Sequence, residues 1–291
     1  MSTTDHGEYF IPEPSKWPLV GTIALTTTVI GAVHTIHSGS LSLLLPIGFL
    51  LIAYLLFGWF GAVIDESMSG KYNEQVDRSF RIGMLWFIFS EVMFFAAFFG
   101  ALFYVRVFIM DWLAGGGNNF MTHELLWPSF EDVWPLLTNP DNAAVPGPQQ
   151  AMGPGGLPAM NTAILLLSSV TVTIAHHALR QDHRKPLIIW LAATVALGIT
   201  FLFFQVEEYV HAYSEMGLTF DSGIYGSTFY ILTGFHGMHV TLGTTMLLVM
   251  LVRAIKGHFT SDNHFAFEAV AWYWHFVDVV WLGLFIFVYW L

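Results

Sequence analysis

The stretch RIGMLWFIFSEVMFFAAFFGALFYVR, Arg81 to Arg106, decides how the chain is read. Between its two arginines the only charged side chain is Glu91. At a rise of about 1.5 Å per residue, the segment forms a helix of roughly 36 Å, enough to cross a bilayer. Glu91 then sits about 15 Å from one end, near the midplane, where an ionised side chain costs several kcal/mol. An acid in that position needs a partner or a proton. Glu91 is therefore the first candidate functional residue.

The rest of the chain agrees with a membrane reading. It is 291 residues long, 55% hydrophobic, 16% aromatic and only 11% charged, with a mean hydropathy of +0.60. Soluble domains carry about 25% charged residues. A net charge of −11, with no basic patch, argues against a nucleic-acid partner. The absence of cysteine excludes disulfides, iron–sulfur clusters and thiolate metal sites. Residues 1–16 lack the basic start and short apolar core of a signal peptide, so they are expected to remain as a polar lead-in.

Apolar windows of spanning length fall at about 17–37, 40–63, 80–110, 158–179, 186–210, 223–254 and 265–291. The expected fold is all-α: one polytopic membrane domain, 17–291, with seven transmembrane helices. Lys16, Lys71, Arg78, Arg81, Arg180, Arg184, Lys185, Arg253 and Lys256 all flank spans on one side, and only Arg106 lies on the other. By the positive-inside rule the N-terminus is cytoplasmic, or in the mitochondrial matrix, and the C-terminus is outside. The outside segment 111–158 is rich in proline and glycine and has no Lys or Arg. It is expected to be an irregular surface loop without a core of its own, with a short helical turn around LLWPSFEDVW.

Other polar residues lie in or beside the apolar windows. TGFHGMH places His236 and His239 on one helical face, where they could hold a metal or haem, carry protons, or hydrogen-bond to Glu91. In FEAVAWYWHFVDVVWL, the residues Glu268, His275 and Asp278 form one polar stripe that must face protein or water. AHHALRQDHRKP gathers histidines and bases at the inner end of the fourth span. QVEEYVHAY, with Glu207, Glu208 and His211, reads as a solvated cap on the fifth.

Several runs carry a likeness: RIGMLWFIFSE, AHHAL with DHRK, DSGIYGSTFYILTGFHGMHV, and HFTSDNHFAFEAVAWYWHFVDVVWL with the closing YW. In order and spacing these resemble subunit III of the haem–copper cytochrome c oxidases, over roughly 55–110 and 160–291. The resemblance implies seven helices, with helices 1–2 parted from helices 3–7 by a V-shaped cleft that holds phospholipid. It implies no haem, copper or catalytic residue in this chain; haem and copper belong to partner subunits. It further implies packing on subunit I, with subunit II in the same complex, in an enzyme that passes electrons from cytochrome c to oxygen and pumps protons. The subunit would sustain proton uptake and turnover, and the cleft would offer a route for oxygen.

Position by position, Glu91 matches the family's carbodiimide-reactive acid, with His236 as its first expected partner and His239 as its second. Trp59, Arg81, Arg253 and His258 match positions near lipid headgroups on the inner side. GKYNE at 70–74 replaces a stretch that is often His-rich, which puts a headgroup contact from that loop in doubt. The long 111–158 loop points to a bacterial oxidase in an inner membrane. Two rival readings remain: a carrier of bis-His haem b using His176/His177 and His236/His239, and a proton-coupled transporter built round Glu91.

Overall fold

The computed structural model describes residues 13–291. Its elements are helical throughout, with no strand among the described residues. The helices are α1 Trp17–Ser38, α2 Leu44–Met68, α3 Glu74–Tyr104, α4 Met110–Leu113, α5 Phe120–Leu126, α6 Leu157–Arg180, α7 Arg184–Glu215, α8 Ile224–Lys256 and α9 Phe265–Leu284. π-helical turns at Val105–Ile109 and Phe285–Trp290 join α3 to α4 and close α9. Among the described residues seven helical stretches are long and apolar enough to cross a membrane, as expected, with α3 running on through α4 as one of them.

Sequence chemistry sets the helix ends. Pro18 and Pro158 lie in the first turns of α1 and α6, where a missing N–H costs nothing. Gly257 ends α8 at φ 77°. Its N–H bonds Ala254 O, and the N–H of His258 bonds Arg253 O, so glycine's left-handed freedom satisfies two terminal carbonyls. Arg184 donates to Ala254 O (3.3 Å) and to Ile255 O, joining the start of α7 to the end of α8.

The chain divides into two compact units, one ending at Ile82 and the other running from Gly83 to Leu291. The boundary falls inside α3, whereas the expected division lay between helices 2 and 3. In the first unit α1 and α2 pack closely because glycines remove the Cβ at their crossings. A Cβ on Gly48 would strike Thr28, and one on Gly31 would strike the backbone at Leu45. In the second unit α9 is central, with Trp274, Trp281 and Leu284 fully enclosed. Trp274 Nε1 donates to Ser168 Oγ and Trp281 Nε1 to Thr162 Oγ1, both at 2.9 Å, fixing α9 against α6.

The segment expected as the 111–158 loop differs from its expectation. The short helix forms earlier, at Phe120–Leu126, and stops just before Trp127-Pro128, since the residue ahead of a proline disfavours helix. The segment is irregular but anchored: Phe130, Leu136 and Met152 are buried in the second unit's core. Asn139 Nδ2 donates to Val145 O (2.9 Å) and Ser222 O (3.2 Å), while Met152 N donates to the Tyr225 hydroxyl. The bundle end carrying this segment is called outer below.

Candidate functional site

Glu91 lies on α3 and faces α8. Its Oε2 is 2.9 Å from His239 Nε2, with the histidine side chain 5% exposed and the glutamate side chain 22% exposed. His239 Nδ1 donates to Phe235 O at 2.6 Å, so Nδ1 carries a proton. One further proton then lies between Glu91 and His239, on the carboxyl or on the imidazole. In either state the pair has no net charge, which answers the cost of an acid at mid-membrane. Phe94, Phe95 and Tyr273 pack their rings around the imidazole.

His236 is not the partner of Glu91. Three residues along a helix is about 60° short of a full turn, which is enough to point His236 at α9. There Nε2 donates to Val277 O at 3.1 Å, and the ring is held by Phe201 and Trp281.

The polar stripe of α9 faces α6, as an intramembrane polar face should. His275 lies between Ser169 Oγ (2.6 Å from Nδ1) and Thr173 Oγ1 (3.5 Å from Nε2). Asp278 is buried beside them and is reached by Ser169. Glu268, at the inner end, meets His176 Nε2 at 3.6 Å and His264 Nε2 at 3.4 Å. His176, His264 and Glu268 offer three ligand atoms within 4.8 Å of one another, a donor set able to hold a divalent cation. His264 was not singled out from the sequence; it precedes Glu268 by one helical turn, and that spacing was the available signal.

The four residues expected near lipid headgroups fall two in each unit, Trp59 and Arg81 in the first and Arg253 and His258 in the second. In the first unit a cavity of about 330 Å³ is lined by Trp17, Trp59, Glu66, Tyr72 and Phe80, among others. Tyr72 donates to Glu66 Oε2 at 2.8 Å; burial, with that acid beside it, pushes its phenol above the usual tyrosine range. Arg81 holds Asp77 at 2.7 Å one turn away. In the second unit Arg253 is 7% exposed, with its guanidinium over the Phe259 ring. Arg253 Nε and His258 Nδ1 are both buried without a protein partner.

The QVEEYVHAY cap divides. His211 pairs with Glu215 at 3.2 Å and Glu207 is exposed, but Glu208 is buried and accepts a 2.7 Å bond from Tyr289.

Among the described residues, seven helices long and apolar enough to cross a bilayer, with polar side chains of the second unit paired across helices, define a polytopic membrane protein. A family model described as cytochrome c oxidase subunit III matches residues 7–111 and 124–291. The chain is 40% identical over 283 residues to cytochrome c oxidase subunit 3 of Sus scrofa and of Oncorhynchus mykiss, covering 97% of this chain and 96% of each relative. The same protein of Raphicerus melanotis is 39% identical over the same coverage. The chain belongs to the cytochrome c oxidase subunit III family.

Proposed function

We propose that the chain serves its oxidase as a lipid-binding subunit without redox centres. In this reading it packs on subunit I beside subunit II, and those partners carry the haem and copper that move electrons from cytochrome c to oxygen. The cavity between Trp17, Trp59, Glu66, Tyr72 and Phe80 carries the proposal. Aromatic walls suit acyl chains and glycerol, while polar groups at the rim suit a headgroup. At the inner end of α8, the spare donors on Arg253 and His258 suit a phosphate.

His239 supports the non-redox reading because both its ring nitrogens are committed, Nδ1 to Phe235 O and Nε2 to Glu91, and His236 is packed between Phe201 and Trp281 with Nε2 on Val277 O. His176 joins Glu268 and the adjacent His264, its ring 5.5 Å from that of His264, and not His236 or His239. The bases favour a cytoplasmic N-terminus. The break in the family match at 112–123, within the long outer segment, favours a bacterial inner membrane over a mitochondrial one.

Native mass spectrometry of the intact oxidase tests lipid binding. Trp59→Ala combined with Arg81→Ala is expected to lower the phospholipid retained per complex. An unchanged lipid count rejects the cavity as a lipid site.

A further inference from the structure

Glu208 has no part in lipid binding or in the Glu91–His239 pair, yet it is the most enclosed acid among the described residues, at 1% exposure. Its Oε1 accepts the Tyr289 hydroxyl at 2.7 Å, and its Oε2 has no protein partner. Two amides with unused capacity lie at the same level. Gln205, on the same face of α7, donates to Thr233 O at 2.9 Å but leaves its Oε1 without a donor. Asn161 is fully buried, and neither of its amide atoms is partnered. The 2.8 Å bond between Thr171 and Thr194 pins α6 to α7. Because these helices are antiparallel, moving outward along both from that bond brings Asn161 level with Gln205.

The titratable groups facing Glu208 are all weak acids. Tyr209 stands on α7, Tyr225 and Tyr230 on α8, and Tyr289 on the π-helical end of α9. His236 lies deeper, with Nε2 committed to Val277. Among the described residues, no ion pair joins Glu208 to a lysine, arginine or histidine. An ionised Glu208 would therefore be a buried charge held by one phenol, a state that proteins avoid by neutralising the group. A protonated Glu208 changes the account. Its Oε2–H becomes a donor, and the acceptors lacking one are the amide oxygens of Gln205 and Asn161.

We infer that Glu208 is a proton-holding site in the outer half of the α6–α9 bundle. It is a neutral carboxylic acid that accepts from Tyr289 at Oε1 and directs its Oε2 proton to the Gln205 or Asn161 amide oxygen, directly or across one water. It differs from Glu91, whose proton is shared with a base. Among the described residues Glu208 has no base within hydrogen-bonding reach, so it keeps its proton.

Infrared spectra of the intact oxidase test the assignment. Subtracting Glu208→Gln from wild type should leave the C=O band of one protonated carboxyl, shifted in D2O. If the difference is instead a pair of carboxylate bands, Glu208 is ionised and the inference fails. Should Glu208→Gln not assemble, Tyr289→Phe provides the reading. Loss of one hydrogen bond to Oε1 is expected to move the same C=O band to higher wavenumber, and a spectrum identical to wild type overturns the inference.

Discussion

At the scale of single residues, the Glu91–His239 pair follows from one proton and two bonds. His239 Nδ1–H goes to Phe235 O, so Nε2 is left to share a proton with Glu91. Glu91→Gln keeps a donor for Nε2. It is expected to leave haem content and initial turnover near wild type, as checked by the visible spectrum and oxygen uptake. His239→Leu removes the hydrogen bond to the Glu91 carboxyl and is expected to cost about 1–3 kcal/mol in thermal unfolding of the oxidase. A melt unchanged by His239→Leu would count against the pair. Sequence pattern found Glu91, the two histidines and the α9 stripe because charges are conspicuous in an apolar run. It misplaced Glu208 by reading QVEEYVHAY as a cap. The signal was nonetheless available: Phe201, Gln205, Glu208 and Ala212 recur at helical spacing, and all four are buried.

At the scale of elements, the α1–α2 hairpin depends on bare backbone at its crossings. Gly48→Leu places a side chain where Thr28 lies and is expected to part the two helices. Limited proteolysis of the oxidase should then cut the 39–43 connection faster than in wild type, and an unchanged rate would show that the hairpin tolerates the bulk. The outer ends of α3 and α9 meet through Arg106, which donates to Phe287 O (3.2 Å) and Leu291 O (2.7 Å). The π turns that carry these groups left no sequence mark, since a π turn uses the same residue types as an α turn. Spans could be bounded to within a few residues because hydropathy changes sharply at their ends. Their straightness and inner packing could not.

At the scale of the whole molecule, the expected behaviour is that of a removable support. Stripping this subunit from the oxidase should leave the reduced-minus-oxidised haem bands with the remaining subunits, while shortening the enzyme's working life. Haem bands that depart with this chain would overturn the non-redox reading. The sequence alone determined seven spans, their order and the side on which the bases collect, because these depend on length, hydropathy and charge along one dimension. It also carried the family, through motifs long enough to survive without structure. Tertiary structure alone decided that Glu91 meets His239 rather than His236, that His264 joins His176 and Glu268, and that Glu208 turns inward. Each of those choices depends on helix rotation and depth. A shift of a third of a turn exchanges one partner for another, and only packed neighbours fix that angle.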